Sequence, residues 1–498
     1  MEVKYKMKEI IRDAISTSVE ENVTYIKSLL VDNSDYVFRQ FDAGQWKAAI
    51  IYIDGMSDKV LLNDYVMESL MRFSEMDEVN YVSEIADKVL TLTDFRKVDK
   101  MKDAVNASLA GEALLILEGL DYIYVVASRA WPARGVGEPS SETVIRGARD
   151  GFTDTIRFNT ALVRRRIRDT RLRIKATQVG ARSKTDVAII YIDDIAKKDL
   201  VQDVENRINK IDIDAILDSA YIEQLIEDNK YSPFPQIQST ERPDVVSAAL
   251  YEGRVAILVD NSPFALIVPA TLPCFFQSPD DYYQKWMHAS GIRILRTLAL
   301  IMALVIPALY VAVSTFHTSI IPAKLAYSIA ASRAGVPFPA FIEALIMEIS
   351  VALLVEAVIR LPKPIASTIG IVGGLVVGQA AVSAGIVSPI MMIVLGLTSM
   401  TTFLTPNYSV VLALRMARII LILMASGLGI FGIVIGMLLL LIHLIRLESF
   451  GTPYLAPFVN THKSDLKDMF LRYPFQFFKD RPKYLRPNDK IRQKVSEE

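Results

Sequence analysis

The pattern of apolar and polar positions changes character near residue 298. Before it, apolar runs are short and broken by polar segments, as in strands and amphipathic helices. After it, whole stretches are apolar: Leu298–Phe316, Ile365–Ile386, Pro389–Leu404 and Ile419–Ile445 contain no Asp, Glu, Lys or Arg. A hydrocarbon core ~30 Å thick needs roughly 20 apolar helical residues, so these four predict membrane spans, the third a short one. Pro307 lies inside the first and predicts a kink, which membrane helices tolerate. Arg293 and Arg296 stand just before it and predict a cytoplasmic start. Phe341–Ile359 is as apolar but carries Glu343, Glu348 and Glu356. Three carboxylates on one lipid-facing span are expensive. The segment is therefore read as interfacial or re-entrant, or else as a span facing a protein or water-lined path, with its glutamates as a candidate cation vestibule. Four spans return the chain to its starting side.

The first part of the chain contains a repeat. Ala49–Asp54 and Ala188–Asp193 both read AIIYID, 139 positions apart. GEALLILEGLDYIYVVASRAW from Gly111 resembles GRVAILVDNSPFALIVPATL from Gly253, offset by 142. Each of the latter pair reads as two apolar strands joined at a turn, at Glu118-Gly119 and Asp260-Asn261. Two separate elements at matching offsets predict two related α/β subdomains. The expected organisation is an N-terminal segment 1–17, a first subdomain 18–140 and a basic connector 141–184. A second subdomain 155–285 overlaps that connector, and a helical membrane domain 286–445 and a basic tail 446–498 follow. The fold class is thus an α/β cytoplasmic region followed by an α-helical polytopic membrane domain.

Charge sharpens this division. The chain of 498 residues has 55 Lys and Arg against 56 Asp and Glu. Residues 1–297 hold 38 basic and 46 acidic residues, 298–445 only six and three, and 446–498 eleven and seven. The near-zero sum is a cancellation between compartments, and the basic tail fits a cytoplasmic side. A single cysteine, Cys274, excludes a disulfide framework. The charged N-terminal sequence shows no signal-peptide pattern, which predicts a cytoplasmic front. Nine Lys or Arg fall between Arg164 and Lys184. They read first as a solvated face or a connector paired to acidic neighbours, with membrane lipid headgroups as the alternative. Nucleic acid is not expected, because the surroundings are acidic and no base-stacking module accompanies the run.

No phosphate loop, zinc-protease, CxxC or EF-hand motif is present, and the four histidines show no metal-ligand spacing. The Asp pairs at 193/194 and 280/281 read as turn residues. Gly427, Gly429 and Gly432 match GxGxxG but lie inside an apolar run rather than between a strand and a helix. They read as a close-packing face, with Gly432 and Gly436 adding a GxxxG. No enzyme, cofactor or metal centre is expected.

Ile365–Ile386 has two distinct faces. At ~100° per residue, Gly370, Gly374, Gly378, Ala381 and Gly385 fall within about 80° of one another. That stripe suits tight helix packing. Thr368, Val372, Leu375, Val376, Gln379 and Ser383 fall on the opposite side, polar at its ends and apolar in the middle. This face suits a narrow aqueous path with a hydrophobic constriction, or a buried face whose polar groups bond neighbouring carbonyls.

Several long motifs resemble the A subunits of bacterial spore nutrient-germinant receptors, the GerA family. They include Val144–Arg168 (VIRGARDGFTDTIRFNTALVRRRIR), Gly180–Val187 (GARSKTDV), Thr240–Asp260 (TERPDVVSAALYEGRVAILVD) and Phe275–Tyr283 (FFQSPDDYY). Ser328–Glu343 (SIAASRAGVPFPAFIE), Ile371–Gly385 and Ser449–Pro457 (SFGTPYLAP) continue the match. The resemblance implies a spore inner-membrane protein working with a transporter-like B subunit and a lipoprotein C subunit. It also implies a homo-oligomer, a pentamer, forming a ligand-gated channel that releases monovalent cations to trigger germination. The segment Thr368–Ser383 would line that channel. A paralogous branch, SpoVAF, shares the layout and implies a channel that amplifies germination without sensing nutrient. A membrane scaffold or a transporter subunit are the readings from other classes.

Overall fold

A computed structural model describes residues 11–44, 46–72, 94–130, 137–139, 142–459 and 465–493. The chain divides into two compact units. One joins Met1–Glu227, Ile237–Pro269 and Lys479–Glu498, and the other joins Asp228–Gln236 and Ala270–Phe478. The tail expected as one basic segment over 446–498 is therefore divided at Lys479.

The first unit contains two antiparallel five-stranded sheets. One holds β1 (Tyr36–Ala43), β2 (Trp46–Ile53), β3 (Phe95–Val98), β4 (Ala113–Leu117) and β5 (Ile123–Val126), in the order β1-β2-β4-β5-β3. The other holds β6 (Leu172–Val179), β7 (Thr185–Ile192), β8 (Gln238–Thr240), β9 (Val255–Val259) and β10 (Ala265–Val268), in the order β6-β7-β9-β10-β8. The strand order is the same in both. The two AIIYID copies lie on β2 and β7. Ile50 stands opposite Leu115, and Ile189 stands opposite Ile257, so the register preserves the offsets of 139 and 142.

Helices cover both faces of the first sheet. α1 (Val19–Leu29) and α2 (Met101–Leu109) pack Val23, Ile26, Ala104 and Val105 onto Ile51, Ile53, Leu114 and Ile116. Leu62, Val66 and Leu70, from a helical stretch that is π-wound over Leu61–Met67, pack onto Ala48, Ile50, Leu115 and Leu117. Successive side chains of a strand point to opposite faces, so a sheet covered on both sides needs the continuous apolar runs seen in β2 and β4. In the second sheet, α3 (Ile156–Arg166) and α6 (Pro243–Glu252) take the places of α1 and α2. α4 (Lys198–Asn209) and α5 (Ser219–Ile226) lie between β7 and β8 in sequence.

The repeat extends to the helix caps. The Glu118 carboxylate accepts from the Val19 amide at 2.8 Å, opening α1, and the Asp260 carboxylate accepts from the Ile156 amide at 3.0 Å, opening α3. The next residues, Gly119 and Asn261, both have positive φ (90° and 64°), a conformation in which glycine and asparagine are the least strained. Asn22 and Asn159 each bond the amide and the carbonyl of a residue six positions earlier, Ser16 and Thr153.

The two sheets are joined by a buried ion pair. The Arg164 Nε donates to Asp35 Oδ2 at 2.6 Å and its Nη2 to Asp35 Oδ1 at 2.9 Å, both side chains being almost fully enclosed. Asn33 receives a further bond from Nη2, and burial pushes the neighbouring Tyr36 hydroxyl up to about 12. Most of the basic run is paired in the same way: Arg166 with Asp150, Arg171 with Asp169 and Asp194, Lys175 with Glu205. In the preceding segment, desolvation pushes the Glu142 carboxyl up to about 7, although Thr240 donates to it at 2.6 Å.

The second unit is helical: α7 (Trp286–Thr315), α8 (Ala323–Arg333), α9 (Ala340–Arg360), α10 (Lys363–Ser383), α11 (Pro389–Phe403), α12 (Tyr408–Leu428) and α13 (Ile430–Arg446). Leu304, Ala308, Val311, Ala344, Met347, Met391, Leu395, Leu414 and Leu421 form its core. Among the described residues, two helices are long and apolar enough to cross a membrane by length and composition, α7 and α12; α11 and α13 are apolar but shorter. Two expectations are corrected. Ile419–Ile445 is not one helix, because Gly429 (φ 60°, ψ −140°) ends α12 and starts α13. The chain then folds back, so that a Cβ at Gly432 would collide with the Met424 carbonyl and one at Gly436 with Leu421. Gly432 and Gly436 do pack closely, but across a helical hairpin, whereas a Cβ at Gly427 would meet nothing within 4 Å. Phe341–Ile359 is not peripheral along its whole length, since Glu343, Ala344, Met347 and Glu348 on α9 are buried in the bundle. Pro307 sits within α7, which continues to Thr315.

Candidate functional site

Helix α10 lies against α9 and α11 through its small residues. A Cβ at Gly370 would meet Val358 at 3.7 Å, one at Gly374 would meet Leu354 at 3.8 Å, and one at Gly378 would fall 2.6 Å from Met392 Cε. Gly385, just beyond the helix, has φ 69°, and a Cβ there would lie 3.1 Å from the Gly335 carbonyl. On the other side, Val376, Gln379 and Ser383 are exposed, Val376 to 55%. The side chains of Thr368, Val372 and Leu375 lie outside the described ones. The described part of this face therefore carries an amide and a hydroxyl without a partner among the described residues of the chain.

Each of the three glutamates of α9 has its own arginine. Glu343 is fully buried; it accepts from the Ser388 amide at 3.0 Å and hydroxyl at 2.8 Å, and from Arg333 Nε at 3.3 Å. Ser388 in turn caps α11, accepting from the Met391 amide. Glu348 pairs with Arg418 of α12, whose Nη2 donates to it at 2.8 Å, while Arg418 Nη1 donates to the Ala303 carbonyl of α7 at 3.1 Å. Glu356 is exposed and pairs with Arg360 one turn later. A buried carboxylate and guanidinium satisfy each other only with close geometry, and losing either partner strands the other. Glu343 and Glu348 thus tie α9 to its neighbours behind α10, and only Glu356 is open to solvent.

One cluster was missed in the sequence. Asp281, read there as a turn residue, is buried and accepts from Arg293 Nε at 2.8 Å and Arg296 Nη1 at 3.1 Å. Asp468 accepts from Arg293 Nη1 at 2.7 Å and from the Tyr282 hydroxyl at 2.7 Å. The two arginines that flank the first apolar stretch are therefore internal. The usable signal was their three-residue spacing on one helix face. Among the described residues, no group of three or more His, Cys, Asp or Glu side chains could hold a metal ion.

Comparison with known proteins gives a consistent set of relatives. The family model for the Bacillus/Clostridium GerA spore germination protein matches residues 24–484. Spore germination protein GerLA of Bacillus cereus is 41% identical over 443 residues, covering 89% of this chain and 90% of that protein. The uncharacterized membrane protein YfkQ of Bacillus subtilis (strain 168) is 41% identical over 469 residues, covering 94% and 91%. The crystal structure of the N-terminal domain of the A subunit of the Bacillus megaterium spore germinant receptor GerK3 is 36% identical. It covers 52% of this chain and 98% of that one at a TM-score of 0.42.

Proposed function

The chain belongs to the Bacillus/Clostridium GerA spore germination protein family, and from that premise we propose that it is the A subunit of a nutrient-germinant receptor whose copies surround an ion path. The observation that carries the reading is the asymmetry of α10. Its glycine side packs against α9 and α11, while Val376, Gln379 and Ser383 remain exposed. An amide facing lipid is costly, whereas the same group facing water in a ring of copies is solvated. Thr368 and Ser383 would then wet the two ends of a path lined also by Gln379. Val372, Leu375 and Val376 would form a constriction that closes by dewetting. Glu356, the one solvent-open carboxylate of α9, would stand nearest to a cation-attracting role. The subunit would sit in the spore inner membrane with its first unit in the cytoplasm, beside B and C subunits. A closed ring, a pentamer, would supply the central axis. Monovalent cations would leave through it when nutrient binds.

The test is potassium flux from proteoliposomes holding the full-length chain with its B and C subunits. Val372→Ser should raise flux in the absence of nutrient, because a hydroxyl eases wetting of the constriction. Unchanged resting flux, in particles shown to contain the assembled ring, would remove the pore assignment.

A further inference from the structure

The segment after the helical bundle carries an unusual surface. Phe470, Leu471, Tyr473, Phe475 and Phe477 are each between 40% and 51% exposed. Their positions are nevertheless fixed. The Ser290 hydroxyl donates to the Arg472 carbonyl at 3.1 Å, and the Arg472 amide donates back to it at 3.1 Å. Arg293 holds Asp468 through both its carboxylate and its carbonyl, and the Gln277 amide donates to the same carbonyl at 2.7 Å. Tyr473 meets Phe477 edge-on with ring centroids 6.2 Å apart, and the Arg472 guanidinium lies 4.0 Å over Phe475. Anchored aromatic rings left 40–51% exposed favour an external contact, since water solvates them poorly.

Their level along α7 indicates which. Ser290 lies one turn after Trp286, which is itself 45% exposed, and the last charge of α7 is Arg296. Arg293 and Arg296 are buried while Ile292, Ile294 and Leu295 are exposed, so the outward face of α7 is apolar from Ile292, and at ~1.5 Å per residue the anchoring point lies about 3 Å before it. The interfacial layer of each leaflet is roughly 5–8 Å deep, and aromatic residues concentrate there. We propose that Phe470–Phe477 is a membrane-surface anchor, its aromatic side chains seated in the lipid headgroup layer that Trp286 also enters. This inference rests on the membrane reading of α7.

The test uses the full-length chain in phosphatidylcholine–phosphatidylglycerol vesicles, with a polarity-sensitive fluorophore on Phe477→Cys in a Cys274→Ser background. Ile301→Cys on α7 and Tyr231→Cys, 50% and 99% exposed, serve as references for lipid and water. Seating ~5–10 Å deep should make a headgroup-level nitroxide lipid quench the probe at residue 477 at least about twofold more than a deep one, with iodide excluded. A probe there that behaves like the one at Tyr231 overturns the anchor while leaving the span intact. Shielding from iodide without sensitivity to either nitroxide means that protein covers the patch, and also overturns it. Iodide access at residue 301 would contradict the membrane reading itself.

Discussion

In the first unit both faces of β2 and β4 are covered by helices of the same chain, whereas in the second unit the described residues of α10 pack on its glycine side and leave Val376, Gln379 and Ser383 exposed. Each sheet repeats the same strand order and the same carboxylate cap, so each closes its own core. The bundle instead leaves a helix face bearing Gln379 and Ser383 outside its core. A duplicated α/β fold closes its cores within one chain, while the described part of the helical unit presents a surface that something beyond the chain must solvate or cover. Buried charge separates the units in the same way: Arg164–Asp35 joins two sheets, and Arg418–Glu348 ties helices behind the bare face.

The largest effects should come from those two pairs. Asp35→Ala and Glu348→Ala each strand a buried guanidinium, at a cost of about 3–5 kcal/mol. In hydrogen-exchange unfolding of the full chain, Asp35→Ala should deprotect the sheets and spare α9 and α12, and Glu348→Ala should do the reverse. Equal deprotection of both regions by either variant would mean that the units do not unfold separately.

The next contrast is in pH dependence. The Glu142 carboxyl is held at about 7 by desolvation, above its unfolded value of about 4.3. Its neutral form is favoured in the folded state, so that stability is complete below the unfolded value and is lost as pH rises through 7. The loss should reach at most about 4 kcal/mol in the first unit. Glu142→Gln should remove this slope between pH 5 and 8, measured by protection of β8, and a slope that survives would remove the assignment.

The smallest effect tests the repeat itself. Glu118→Ala and Asp260→Ala each delete a helix cap worth about 1 kcal/mol, and the two losses should match. Urea midpoints read on α1 and α3 would show whether the caps are equivalent.

Much of the first unit was legible in the sequence because a repeat carries its own register. AIIYID and the Gly111 and Gly253 segments placed β2, β4, β7 and β9, and the turn positions Gly119 and Asn261 fell where expected. The caps were not legible, since Glu118 and Val19 lie 99 positions apart. In the helical unit, hydropathy found the apolar segments but not the break at Gly429, because an apolar hairpin and one long helix share a composition. The partners of the α9 glutamates were hidden for a related reason. Arg333, Arg418 and Ser388 belong to other helices, and only packing brings them to Glu343 and Glu348. Of the α10 face, spacing alone grouped six residues; three of their side chains, at Val376, Gln379 and Ser383, are described and exposed.

The central claim is that this face borders the ion path. Single-channel currents from the full-length chain assembled with its partner subunits test it directly, with Gln379→Cys or Ser383→Cys exposed to a charged thiol reagent. Cys274 is buried, which keeps the native background silent. Modification at either position should lower the conductance within a single channel, while the same treatment of Ile301→Cys on α7 should leave it unchanged. Complete modification of Gln379→Cys and Ser383→Cys with unaltered conductance would contradict the account.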